Sequence, residues 1–177
     1  MSQEAFNRVS GELSQTIRKL FEQGRTTPTF LLLYVSIDVL ASLTRPIGRP
    51  DTDRSFFKDW VNEFMLPGSG LPCTADDIYA ARCGLLHTFT AESRDARIGS
   101  ARMINYVGDN DSPDEMQRSH DPACATNIFV STRAFVDAFF TAFSRFEQKV
   151  RSDRDLQTRV YHHFGALLVE SRGRLIR

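Results

Sequence analysis

Thr27–Leu43 reads TPTFLLLYVSIDVLASL, and this stretch decides the fold. Thr27 followed by Pro28 has the form of an N-cap and first helical residue, since proline's fixed φ suits the first turn and its missing N–H would have no helical acceptor there. From Phe30 onward the apolar side chains run most of the way round a 3.6-residue helix, so this is expected to be the central, most buried helix of a bundle. Asp38 breaks the run. A carboxylate in so apolar a helix must find a partner or be neutralised. The apolar residues from Phe30 to Leu43, interrupted by that acid, also fall short of the roughly 20 needed to span a bilayer.

Working outward, Phe6, Val9, Leu13, Ile17 and Leu20 recur at helical spacing before a stop near Gly24. On the other side TRPIGRPDTD breaks the chain with two prolines and a glycine. A third stripe, Phe56, Phe57, Trp60, Val61 and Phe64, follows and ends at Pro67. Thr74 with Asp77 three residues on has the spacing of a capping box and opens a fourth helix through IYAARCGLLHTFT. The period then changes. RIGSARMINYVG and ATNIFVS are short and rich in β-branched and aromatic residues, and they flank a polar stretch from Gly108 to Pro122. They predict a two-stranded antiparallel ribbon, about residues 97–131, with a long loop. Ser131 or Thr132 caps a fifth helix bearing Phe135, Phe139, Phe143, Phe146 and Val150. Leu156, Val160, Phe164, Leu167 and Ser171 mark one side of a sixth. The expected fold is mainly α: one domain over residues 1–177, a helical bundle of about five to six helices with a small two-stranded antiparallel β insert.

The 177 residues balance 22 Lys and Arg against 22 Asp and Glu, and 41% are apolar. With 14 Phe, 4 Tyr and 1 Trp, disorder is excluded, because so much aromatic area does not stay in water. A broad basic surface for nucleic acid is excluded as well, so any contact with RNA would be local. Of the 22 cations 19 are Arg, the residue suited to bidentate phosphate contact. Three cysteines, Cys73, Cys83 and Cys124, without C-x-x-C spacing argue against a disulfide framework or a zinc cage and point to a reducing compartment. The acidic, helically patterned start is unlike a signal peptide. A cytoplasmic chain with no membrane contact is expected.

No G-x-G-x-x-G, Walker loop, H-E-x-x-H or G-x-S-x-G string is present. The remaining candidates lie on the fourth helix. On a helical wheel Ile78, Ala81, Leu85 and Phe89 share the sector expected to face the core. Tyr79, Arg82, Cys83, Leu86, His87 and Thr90 fill the neighbouring one. Arg82 and His87 stand at its edges, about 140° apart and about 7.5 Å along the axis. Arg82 is the candidate partner for Asp38. That pair would either fix how the second and fourth helices pack or orient Arg82 toward a ligand. Tyr79 and Thr90 add hydroxyls to the same face.

An Arg, a short spacer and a His on a bundle helix, Arg82 and His87 within YAARCGLLHTFT, resembles the hallmark of the HEPN superfamily. LLLYVSIDVLASL upstream, FFKDWVNEFM, and the INYVG and NIFVS strands before a Phe-rich helix are similar to a bacterial branch of it. Together they cover most of residues 28–150. The resemblance implies a metal-independent endoribonuclease of a bacterial defence or toxin system, a homodimer that brings two such motifs into one cleft, with no cofactor. It casts Arg82 as the clamp on the scissile phosphate and His87 as the group assisting 2′-hydroxyl attack or protonating the leaving 5′ oxygen. Asp38, Tyr79 and Thr90 would bind substrate or support those two. Catalytic members commonly carry a polar residue, often Asn, right after the Arg, and here Cys83 stands there. The alternative is a non-catalytic HEPN-like module that binds a nucleotide, an RNA or a partner protein.

Two further groups have plainer readings. His162 and His163 are adjacent on a helix, so their rings diverge too far to share a metal. Asp109, Asp111, Asp114, Glu115 and Asp121 crowd the polar stretch, which lacks an EF-hand pattern and is expected to be a solvated loop.

Overall fold

A computed structural model of the chain describes residues 3–120 and 126–164. Helix α1 (Gln3–Glu22) is followed by α2 (Thr26–Leu43). Nine of the 18 residues of α2 are buried, among them Phe30, Leu33, Tyr34, Ile37 and Leu40, as its near-uniform apolarity requires. By length and composition alone α2 also meets the minimum for crossing a membrane, with a mean hydropathy of 1.5, and half of it is buried against its neighbours. It begins two residues earlier than the Thr-Pro pair predicts. Arg25 occupies the N-cap position without a side-chain bond, and the Thr29 hydroxyl returns to the Arg25 carbonyl at 2.7 Å.

Helix α3 (Arg54–Trp60) is capped by Asp53, whose carboxylate accepts from the Ser55 N–H at 2.7 Å. It runs into a π turn, Val61–Met65, closed by the Leu66 N–H donating to the Val61 carbonyl. Trp60, Val61, Phe64 and Met65 are all buried in the core. Arg145 closes the end of the turn by donating to the Phe64 and Pro67 carbonyls at 3.2 and 2.6 Å.

After α4 (Ala75–Thr88) come the single turn α5 (Arg94–Arg97), strand β1 (Met103–Val107), helix α6 (Pro113–Ser119), strand β2 (Asn127–Ser131), and helices α7 (Thr132–Ser152) and α8 (Arg154–Phe164). The expected mainly helical fold with a small two-stranded sheet is what the structure has, and it differs in two respects. The helices among the described residues number eight, because α5 and α6 are short. The strands pair in parallel, not antiparallel, with Met103 opposite Asn127 and Val107 opposite Ser131. A parallel pair needs a crossover rather than a hairpin. Helix α6 supplies it from within the stretch expected to be a loop: Ser112 caps it by accepting from the Glu115 N–H, Pro113 takes its first position, and Asp114 and Glu115 sit at the positive end of its dipole. Asp109 pairs instead with Arg133, both exposed. Asp121 lies outside the described residues.

The core is one cluster in which the Phe stripe of α7 meets α2 and the π turn. Phe135 packs against Phe30, Tyr34 and Tyr106, and Phe146 against Trp60 and Phe64, all with ring centroids between 5.3 and 6.1 Å. Each fully buried ring contributes on the order of 2–3 kcal/mol of hydrophobic stabilisation. In α8, Leu156, Val160 and Phe164 face inward as predicted, while Leu167 and Ser171 lie outside the described residues. His163 is buried with its Nε2 3.1 Å from the Arg45 carbonyl just beyond α2, and His162 is exposed.

Candidate functional site

The helix that carries the candidate residues is fixed first at its N-terminus. The Thr74 hydroxyl accepts from the Asp77 N–H at 3.3 Å, and the Asp77 carboxylate accepts from the Thr74 N–H at 2.8 Å, the reciprocal box expected from the spacing. Asp77 does more than cap. Almost fully buried, it also accepts from the Arg102 backbone N–H at 2.6 Å and from Arg102 Nε and Nη2 at 3.1 and 2.6 Å. Burial alone would raise this carboxyl, but the bonds from Arg102 and Thr74 outweigh it and hold Asp77 below the usual value. The start of α4 is thereby tied to the residue preceding β1. Nothing in the spacing of Asp77 and Arg102, 25 positions apart, marks them as partners.

Two turns on, Arg82 crosses to α2. Its Nε lies 2.7 Å and its Nη2 2.6 Å from Asp38 Oδ2, the partner the apolar helix demanded. Its remaining terminal nitrogen, Nη1, is 3.1 Å from His87 Nε2. The 140° separation on the wheel is thus bridged by the Arg side chain bending along α4. Burial is the largest influence on both members of the ion pair. It pushes the Asp38 carboxyl above its usual value by more than Arg82 and His87 pull it back, whereas for Arg82 the bonds and charge of Asp38 win and raise the guanidinium. The cation is fixed and the carboxylate is the partner that titrates. Both line a cleft of about 290 Å³ with Ser42, Thr52, Asp53 and Phe56.

Of the other candidates, Tyr79 belongs to this group: its ring lies 6.0 Å from the Arg82 guanidinium and packs edge-on against Phe57 at 5.4 Å. Burial, then the neighbouring Cys83 thiol, raises its phenol. Cys83 is half-buried, its sulfur 3.9 Å from Arg82 Nη1. Thr90 does not join them. Its hydroxyl bonds to the Thr88 hydroxyl at 2.7 Å and to the Glu92 carbonyl at 3.0 Å, beyond the end of the helix.

The reason is a turn that the helical wheel does not foresee. Helix α4 stops at Thr88, and Phe89, expected on the core face, takes a left-handed conformation at φ 56° and is 68% exposed. The chain then folds back over the helix, the Thr90 N–H reaching the Gly84 carbonyl at 3.3 Å. Gly84 makes this possible: a Cβ there would stand 2.6 Å from the Thr90 carbonyl oxygen. Glycine inside a helix costs about 1 kcal/mol relative to alanine, so its place in RCGLLH was the one available sign of a close approach.

Three features thus meet on one helix: a guanidinium anchored from α2, an exposed imidazole in contact with it, and a glycine that seats the next segment. Compared with models of protein families, with curated proteins and with solved structures, the chain finds no significant match in any of the three.

Proposed function

We propose that the chain is a HEPN-type protein acting on RNA: a metal-independent endoribonuclease of a bacterial defence or toxin system, working as a homodimer, with Arg82 and His87 as its reacting pair. The observation that carries this reading is the approach of Arg82 Nη1 to His87 Nε2 at 3.1 Å while the other edge of the guanidinium is held by Asp38. A phosphodiester entering between the two nitrogens would meet a fixed cation and an imidazole able to take up or give a proton. His87 Nε2 takes the proton of the ribose 2′-hydroxyl as that oxygen attacks phosphorus. The bond from phosphorus to the 5′ oxygen breaks, and the 5′ oxygen leaves as a hydroxyl on receiving the proton that His87 took, which returns the imidazole to its starting state. The products are a 2′,3′-cyclic phosphate and a 5′-hydroxyl end. Arg82 stabilises the charge that grows on the non-bridging oxygens. Asp38 acts through Arg82, and the Tyr79 ring backs the guanidinium.

The test is mixed RNA incubated in EDTA with the wild type and with His87→Ala, the new ends being identified chemically. Cleavage by the wild type alone, leaving cyclic phosphate, is the expected result. No cutting by either protein, or equal cutting by both, defeats the reading. Light scattering tests the dimer, and a strict monomer counts against a composite site.

A second reading has its own observation. Arg82 already spends Nε and Nη2 on Asp38 and one Nη1 donor on His87, and Cys83 stands where catalytic relatives of the resemblance carry a polar residue. Such an arrangement suits a module that binds a nucleotide, an RNA or a partner protein without cutting. Under it RNA is retained but intact, and Arg82→Lys, which keeps the charge and loses the fork, lowers retention.

A further inference from the structure

On the other side of α4 from His87 the fold leaves a cavity of about 180 Å³ between α2, α4 and β1. Its walls are the rings of Phe30, Tyr34, Tyr106 and Phe89 with Leu85 and Ile104; Thr26, Thr27 and Thr90 also line it, and no charged side chain does. The polar groups in its wall are unusual in one respect. The phenols of Tyr34 and Tyr106 are hydrogen-bonded to each other, and neither oxygen has a second partner among the described residues. Each phenol carries one proton, and one bond between them uses only one of the two. The second O–H is left without an acceptor in an apolar setting, which costs free energy until something supplies one. Burial raises both phenols well above their usual range, so both keep their protons and remain donors at neutral pH. An ion would have to shed its water against a wall with no counter-charge. Flat rings on several sides favour a flat guest.

We propose that this cavity binds an uncharged planar ring bearing a carbonyl or ring-nitrogen acceptor, which takes the spare phenol proton of the Tyr34–Tyr106 pair while Phe89 covers the mouth. Phe89 is suited to that place: it is the one non-glycine residue with positive φ among the described residues, and it is held over the cavity by the fold-back at Gly84. Two sources could present such a ring, a base within an RNA chain or a free small heteroaromatic molecule. The first has a geometric ground. Tyr34 lies one helical turn, about 6 Å along the axis, before Asp38 on α2, and Ala81 of the cavity wall immediately precedes Arg82, so the cavity and the anchored guanidinium share neighbouring stretches of both helices.

The test uses benzamide and toluene as ring probes with and without an acceptor, uridine as a free nucleoside, and a short oligouridine, with binding read by ligand-observed NMR. Benzamide and uridine are expected to bind the wild type. Tyr34→Phe and Tyr106→Phe each leave one phenol proton, so either single variant still receives benzamide. The double variant, checked for folding by circular dichroism, should lose the preference for benzamide over toluene by on the order of tenfold, the worth of one hydrogen bond. Ala81→Leu, which fills the cavity, should abolish binding of both rings. Failure of benzamide and uridine to bind, or an unchanged preference in the double Phe variant, overturns the proposal. Oligouridine that displaces benzamide assigns the ring to RNA, and oligouridine that does not assigns it to a free molecule. His87→Ala should leave benzamide binding unchanged, so a failed nuclease assay and a failed cavity are told apart.

Discussion

Replacing the same residue type at two helical positions should move stability in opposite directions. Gly11 lies in α1, and a Cβ built on it meets nothing within 4 Å. Gly11→Ala therefore collects the intrinsic preference of alanine for a helix, a gain of roughly 0.5–1 kcal/mol. Gly84→Ala begins with the same credit of about 1 kcal/mol. Against it stands a Cβ 2.6 Å from the Thr90 carbonyl oxygen and 3.4 Å from the Ala91 carbonyl carbon, both backbone atoms that no side-chain rotation can remove. Segment 89–91 must lift, the bond from the Thr90 N–H to the Gly84 carbonyl is lost, and Phe89 leaves the cavity mouth. Overpacking of this kind costs about 1–3 kcal/mol, and the lost bond about 1 kcal/mol more. The net expectation is a loss of roughly 1–3 kcal/mol, or about 2–12 °C in Tm for a chain of this size. Urea and thermal unfolding of the two variants beside the wild type measure it. If Gly84→Ala proves as stable as Gly11→Ala, the fold-back over α4 is refuted, and the placement of Phe89 with it.

Arg82→Ala strands a partly buried carboxylate and should cost about 1–3 kcal/mol, less than for a fully buried pair because both side chains keep some contact with water. In a double-mutant cycle with Asp38→Ala the two losses should fall short of additivity by about 1 kcal/mol or more, and additive losses would show that the pair is not coupled. Asp77, held below its usual value, contributes stability that is present above the unfolded-state value of 3.8 and is lost as pH falls through the lower folded value. Urea midpoints between pH 5 and 2 should therefore fall less steeply for Asp77→Asn than for the wild type, and parallel curves would sink the assignment. His163 is shifted the other way for a base: burial lowers it below 6.5, so the unfolded chain takes up its proton first and stability is lost as pH drops from 6.5 through the folded value. His163→Gln should flatten that limb in midpoints taken from pH 7 to 5.

The long helices were legible because their stripes repeat over several turns: Phe135 to Val150 is buried throughout, Phe6 and Ile17 anchor a half-buried stripe on α1, and α2 buries half of its residues while leaving Val35 exposed. The Asp38–Arg82 pair was legible for an energetic reason, since a lone acid in an apolar helix narrows its partners to a cation nearby. Strand direction was not, because a period of two names a strand without saying which way its neighbour runs. The start of α6, Ser112-Pro113-Asp114-Glu115, carried every signal of a helix and was masked by its acidity. Phe89 was misplaced because a wheel assumes that the helix continues. Tyr34 and Tyr106 stand 72 positions apart in runs that read as core, and only the folded chain shows that their hydroxyls meet.

The crossover between β1 and β2 also carries a cost in chain entropy. Met103 must find Asn127, 24 positions away, and closing such a loop costs about 3 kcal/mol of chain entropy before the first ladder bond forms. The turns of α7 form within about a microsecond from neighbours alone. Because α7 begins immediately after Ser131, its Phe stripe and β2 are carried by one continuous segment, against which β1 must pair. Arg102 arrives with it and closes on Asp77 at the head of α4. The helix bearing Arg82 and His87 is thus tied at its head to the strand pair, so a lesion in either strand reaches both residues without touching them.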